Sequence, residues 1–136
     1  MASKFFSKKV KVDGMTFDSK REYQRWLELQ ELEKNGDICR LQRQVRFILL
    51  PKQQGERAVI YIADHVYVYG DILVVEDVKS KYTKKQKDYI IKRKLFKYMY
   101  CNKNLKLEIE NFNFKEVVGI ITGIEDFKEI YFKEYE

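Results

Sequence analysis

The sequence predicts an α/β (α+β) fold, a mixed β-sheet flanked by helices. Three observations predict it. Residues 61–79, YIADHVYVYGDILVVEDVK, hold two β-patterned runs joined by Gly70-Asp71. Two other segments, 19–34 and 88–101, carry apolar residues at helical spacing. The order along the chain is hairpin, helix, three strands, helix, strand and a tail, which packs helices against a sheet.

Each element has its own warrant. Residues 1–9 (MASKFFSKK) read as a basic, mobile end. Asp13-Gly14, between short runs at 10–12 and 15–17, is the strongest signal for a type I′ hairpin. Asp18 or Ser19 caps a helix that runs to about residue 34, where Asn35-Gly36 closes it. Residues 38–41 read as a short extended piece, 45–50 as a strand ended by Pro51, and 52–57 as a polar loop. Runs 58–69 and 72–79 form a second hairpin, with Gly70 at the first central position as a type II′ turn requires. Residues 80–87 (SKYTKKQK) read as a basic loop, and 88–101 as a helix capped near Asp88 and stopped around Asn102. Residues 105–110 alternate as a strand, 117–121 read as extended, and 124–135 carry a weaker helical pattern. No composition shift marks a linker, so residues 1–136 read as one domain with 111–136 as a C-terminal extension.

Composition narrows the function classes. The chain is 45% apolar and 35% charged, which is globular rather than disordered. Its net charge of +6 points toward nucleic acid or an anionic surface. There is no secretory h-region and no apolar run long enough to span a bilayer, so a cytoplasmic protein is expected. Cys39 and Cys101 form no metal motif and read as reduced thiols. The turn glycines Gly14, Gly36 and Gly70 make no phosphate loop, so no nucleotide cofactor is expected. A serine or cysteine hydrolase constellation is absent.

Charge inside the strands is the informative feature. With Tyr69 facing Ile72, counting outward brings Asp64 opposite Asp77, and like charges on one sheet face repel. Lys79 lies two residues beyond Asp77 and shares its face. On a helical wheel, Leu29, Trp26, Tyr23 and Leu27 form an apolar arc that contains Glu22. One reading makes Glu22 a first-turn acid that complements the helix dipole. The other makes it a third carboxylate aimed at the sheet, completing an oxygen site suited to Mg²⁺ or Mn²⁺. His65 adjoins Asp64 but alternation points it to the opposite face, where a structural or surface role is expected. The tyrosines mostly hold core-like positions and read as packing.

The ordered set Glu22, Ala63-Asp64 and Asp77-x-Lys79 resembles the PD-(D/E)XK nuclease superfamily, with Ala63 standing where the motif's name has proline. More narrowly, KVDGMTFDSKREYQRWLELQELEKNGDI, LQRQVRF, YIADHVY and VVEDVKS resemble a small phage and prophage family of unknown function (DUF1064-like), over roughly residues 9–100. The resemblance implies a restriction-endonuclease-like core and Mg²⁺-dependent hydrolysis of DNA phosphodiesters. It implies Asp64 and Asp77 as metal ligands, the Val78 carbonyl as a further ligand, and Glu22 binding metal directly or through water. Lys79 would orient or activate the attacking water. Electrostatic stabilisation by a protonated lysine is favoured over a neutral base, because two carboxylates stand near it. Gln44 is a candidate for positioning water or DNA; a plain edge-strand glutamine is the alternative.

Strand parity keeps Glu76 out of the motif, since it faces away from Lys79. Lys87, Arg93, Lys94 and Lys97 share one arc of the second helix, while Ile91, Leu95, Phe96, Tyr98 and Met99 form an apolar arc expected in the core. The basic arc continues from Lys79 through Lys81, Lys84 and Lys85, so these residues are candidates for holding DNA phosphates; a solvated helix face is the alternative. Lys4, Lys8, Lys9 and Lys11 form a weaker second cluster. The expected function is a phage or prophage endodeoxyribonuclease that processes branched DNA or Holliday junctions, acting as a homodimer so that two sites cut two strands. Two alternatives stand beside it: a flap, single-strand or nicking nuclease in phage replication, and a DNA-binding or assembly protein that does not cut. The aromatic tail (Phe127, Tyr131, Phe132, Tyr135) reads either as a dimer surface or as a core-covering helix.

Overall fold

A computed structural model describes residues 9–101 and 128–136. The expected strands at 105–110 and 117–121, residues Lys4, Lys8 and Phe127, and most of the C-terminal extension lie outside the described residues. The elements are β1 (Val10–Val12), β2 (Met15–Phe17), α1 (Lys20–Lys34), β3 (Cys39–Leu50), β4 (Val59–Tyr69), β5 (Ile72–Val78), α2 (Lys81–Lys84), α3 (Lys87–Phe96) and β6 (Glu129–Tyr135). Strands β3, β4, β5 and β6 form a mixed four-stranded sheet in that order, flanked by helices. Pairing is antiparallel from β3 to β5, and parallel between β5 and β6.

The turns follow the sequence. Asp13 and Gly14 both have positive φ (50° and 79°), as a type I′ turn requires. At the second hairpin Gly70 alone is positive (φ 61°), as a type II′ turn requires, and Tyr69 pairs with Ile72. Ser19 caps α1 by accepting from the Glu22 N–H, and Gly36 leaves the helix at φ 84°.

The two sheet faces carry different layers. One face holds Val45, Phe47, Leu49, Tyr61, Val66, Leu73 and Val75 against α3. There Phe47 meets Phe96 and Tyr100 edge-on at 5.0 and 5.3 Å, the geometry aromatic quadrupoles favour. The other face carries Tyr67 and Val74 under Leu29 of α1.

Four expectations need correction. The pattern at 124–135 is not a helix: residues 129–135 form β6, parallel to β5. Ile130 and Phe132 alternate toward the core, and β5, deeply buried, takes β6 as the hydrogen-bonding partner of its second edge. The second helix is α only to Phe96; Lys97–Cys101 form a π turn, with Phe96 and Tyr100 stacked in the core. It starts at Lys87 with Gln86 rather than Asp88 at the cap position, and the basic loop before it contains the one-turn α2, capped by Ser80. Finally, Leu27, Ile91 and Tyr98 are exposed rather than core residues, while Arg25 of α1 is buried.

Candidate functional site

The site is built where β3 and β4 lose their alternation together. On β4, Tyr61 and Ala63 face the α3 layer, yet His65, two residues on, faces α1 and stacks on Trp26. In a regular strand Ala63 and His65 would share a face. The break falls at Asp64, and beside it Gln44 of β3 takes φ 56°, a left-handed conformation rare for a residue with a side chain. Such irregularities re-aim side chains. Here the break leaves Asp64 between the layers, within reach of both α1 and β5.

Asp64 and Asp77 are tied to each other's strand. The backbone N–H of Asp64 donates to Asp77 Oδ1 at 3.3 Å, and the Val78 N–H donates to Asp64 Oδ2 at 2.9 Å. Tyr61 donates its hydroxyl to Asp77 Oδ2 at 2.6 Å, and Lys79 Nζ stands 3.8 Å from the same oxygen. Burial, then the charge of Asp64, push Asp77 well above the usual carboxylate range, against the opposing pull of Lys79 and Tyr61.

Glu22 reaches the cluster from the start of α1. Ser19-x-x-Glu22 is a capping-box spacing, and Glu22 Oε2 accepts from the Asp18 N–H at 2.9 Å. Its other oxygen turns to the sheet, 3.2 Å from Gln44 Nε2 and 3.6 Å from Arg43. Gln44 Nε2 also lies 3.5 Å from Asp64 Oδ1. Burial and then Asp64 raise the Glu22 carboxyl above its ordinary value. Glu22 therefore has one oxygen on the helix start and one turned to the cluster.

The six expected site residues Glu22, Gln44, Asp64, Asp77, Val78 and Lys79 thus meet in one place. The donor set is hard oxygen, and the repulsion within it suits a divalent cation. Asp64 and Asp77 are the residues that could hold one, with Glu22 one amide away. Among the described residues, however, no three Asp, Glu, His or Cys side chains converge on a single metal position.

The basic residues are more divided. The N-terminal part of α3 adjoins the site: Lys79 lies over the Tyr89 ring at 5.0 Å, and Tyr89 donates to Glu134. Lys81, Lys85, Lys87, Lys94 and Lys97 are exposed. Lys84 pairs with Glu136 at 2.8 Å and Arg93 lies 3.7 Å from Glu134. Lys97 lies over Phe132, farther along the sheet. The run therefore starts at the site and recedes from it.

Several contributors had no clear sequence signal. Tyr61 and Arg43 look like ordinary strand residues, and only the break in alternation brings them to Asp77 and Glu22. Arg25 pairs in the buried α1 layer with Glu76, Nε to Oε1 at 2.6 Å and Nη2 to Oε2 at 2.9 Å. Arg25 falls outside the arc of Leu29, Trp26, Tyr23 and Leu27 that contains Glu22, and lies between apolar residues only when Leu32 is added to the stripe. His65 is fully buried on the α1 side of the sheet, its Nδ1 3.5 Å from Glu76 Oε1 without hydrogen-bond alignment.

Residues 2–116 match the family described as protein of unknown function (DUF1064). The chain belongs to the DUF1064 family. The match spans β1 to α3 and so includes every residue of the cluster in this DUF1064 protein. No curated protein and no solved structure matches it. No helix among its described residues is long and apolar enough to cross a membrane.

Proposed function

We propose that this DUF1064 protein is a Mg²⁺- or Mn²⁺-dependent endodeoxyribonuclease of the PD-(D/E)XK kind, encoded by a phage or prophage and acting on branched DNA such as Holliday junctions. One observation carries the reading: Asp64 and Asp77, on neighbouring strands, are interlocked through backbone amides with Lys79 3.8 Å from Asp77. A bound divalent cation would supply a water of lowered pKa and charge compensation at the phosphoryl group. Asp64 and Asp77 would hold it, with the Val78 carbonyl and Glu22 beside them. Lys79 orients the attacking water and offsets charge on the phosphate. The exposed lysines of α2 and α3 hold DNA backbone next to the site, which fixes register without reading sequence. Cutting both strands of a junction requires two copies of the chain, related by symmetry.

The test is cleavage of a labelled four-way junction, a flap, plain duplex and single-stranded DNA, each with Mg²⁺, Mn²⁺ or EDTA. Metal-dependent symmetric cuts in the junction alone are expected, and none from Asp64→Ala, Asp77→Ala or Lys79→Ala, which should still bind DNA. Cutting of flaps or single strands instead would keep the nuclease and discard junction processing. Retained cutting in any two of the three variants would sink the site assignment. A second reading, a DNA-binding protein that does not cut, is favoured by the failure of the described carboxylates to converge on one point. It predicts DNA binding with no response to metal.

A further inference from the structure

Arg25 joins α1, which carries Glu22, to β5, which carries Asp77, and to β6. It lies three residues after Glu22, on the same side of α1. Its Nε and Nη2 grip both oxygens of Glu76, the residue before Asp77 on β5. Its plane lies 3.8 Å from the centre of the Tyr135 ring on β6, and the Tyr135 carbonyl accepts from the Lys79 backbone N–H at 2.7 Å. Its remaining Nη1 bonds Glu28 at 3.0 Å, one turn further along α1. Tyr67 adds a hydroxyl bond to Glu76 Oε2 at 2.9 Å, so the buried carboxylate has partners on both oxygens.

Burial makes this arrangement directional. Arg25 is 6% exposed and Glu76 is fully buried. A hydrophobic contact at this place would tolerate sliding of α1 over the sheet. A two-pronged guanidinium–carboxylate pair with a stacked ring does not, because its bonds hold only in one orientation. The pair fixes α1, which carries Glu22, against β5, which carries Asp77, and against β6, which holds the backbone of Lys79.

We propose that Arg25 is the positioning residue of the site, acting through Glu76 and Tyr135 to set where Glu22 and Lys79 stand relative to Asp64 and Asp77. The proposal rests on the nuclease reading for its consequence in catalysis. Arg25 touches no reacting atom, so its loss should lower kcat and leave DNA affinity and KM nearly unchanged.

The test uses Arg25→Lys, which keeps the charge but has neither fork nor plane, and the double variant Arg25→Met with Glu76→Met. Replacing a buried ion pair by apolar side chains of similar volume commonly preserves or raises stability. Both are compared with wild type in thermal melting, Mn²⁺-dependent cleavage and the fluorescence of Trp26, the single tryptophan, which stacks on His65 next to Arg25. The expected result is a folded protein whose kcat falls ten- to a hundredfold with KM within about twofold, since a displacement near 1 Å can cost that much. A folded double variant should recover stability without recovering kcat.

Wild-type kcat in folded Arg25→Lys would overturn the proposal, as would kcat that returns together with melting temperature in the double variant. If wild type neither cuts DNA nor gains stability with Mn²⁺, the nuclease reading fails on its own account. Trp26 emission then decides the positioning role. A shifted maximum in folded Arg25→Lys supports it, and an unchanged one overturns it.

Discussion

Asp64 and Asp77 each hold the other's strand: the Asp64 N–H donates to the Asp77 carboxylate, and the Val78 N–H donates to the Asp64 carboxylate. Two carboxylates are thereby fixed in a buried place where a cation would relieve the repulsion that ionising both entails. A protein that binds Mn²⁺ there gains about 2.7 kcal/mol at a hundredfold excess over Kd. Wild type is therefore expected to melt higher with Mn²⁺ and to lose that gain in Asp77→Ala. Equal Mn²⁺ shifts in the two proteins would place the ion elsewhere.

The same pair gives the metal-free protein an unusual pH profile. Asp77 and Glu22 titrate above their ordinary values in the folded chain, through burial first and the Asp64 charge second. The unfolded chain loses these protons first, so stability declines as pH rises from about 4 until the folded groups have ionised. Glu76 works in the other direction. Burial opposes its ionisation, but His65 and Arg25 outweigh that and hold it at about 2, Arg25 with the better geometry. Its contribution is present above about 4.5 and is lost as pH falls toward 2. Thermal melts in EDTA should peak on the mildly acidic side of neutrality, and Mn²⁺ should lift the neutral limb. A metal-free maximum above pH 7 would contradict both shifts.

Tyr61 supplies the shorter of two neutral hydrogen bonds to Asp77, its hydroxyl 2.6 Å from Oδ2 beside the Asp64 N–H at 3.3 Å from Oδ1. Its ring packs against Phe96 and Phe132, so Tyr61→Phe removes the oxygen and leaves the packing. Removing one partner of a buried hydrogen-bonding group costs about 1–3 kcal/mol. Tyr61→Phe should lower stability at pH 7 by about that amount in denaturant titrations. A change under about 0.5 kcal/mol would mean that Asp77 has found another donor.

The sequence made the β4–β5 hairpin legible because Gly70 fixes the turn and the turn fixes the register. Glu22 was visible because a charge inside an apolar arc demands a partner. The break at Gln44 and Asp64 was not, since no glycine or proline marks it and Gln44 adopts its left-handed backbone under tertiary constraint. That one irregularity hid Tyr61 and Arg43. In 124–135, aromatic residues at 127, 131, 132 and 135 fit a helical period, whereas Ile130 and Phe132 fit a strand. The pairing of residues 129–135 beside β5 resolves the ambiguity, and this long-range pairing has no local signature. Ile91 and Tyr98 show the converse limit: periodicity finds an apolar stripe but does not say what lies opposite it.

The basic run divides into free and engaged cations, and the division can be measured. Lys85 and Lys94 are exposed, whereas Lys84 is paired with Glu136. Removing one lysine that neutralises a duplex phosphate lowers the slope of log K against log salt by about 0.9. Lys85→Ala with Lys94→Ala should therefore flatten the slope by nearly twice that amount and weaken binding without altering sequence preference. Lys84→Ala should change it less, because the Glu136 carboxylate already competes for that ammonium. DNA binding measured by fluorescence anisotropy between about 50 and 200 mM salt would separate the two cases. An unchanged slope in the double variant would move the DNA surface away from α2 and α3. A full-sized effect from Lys84→Ala would show that DNA displaces Glu136 on binding.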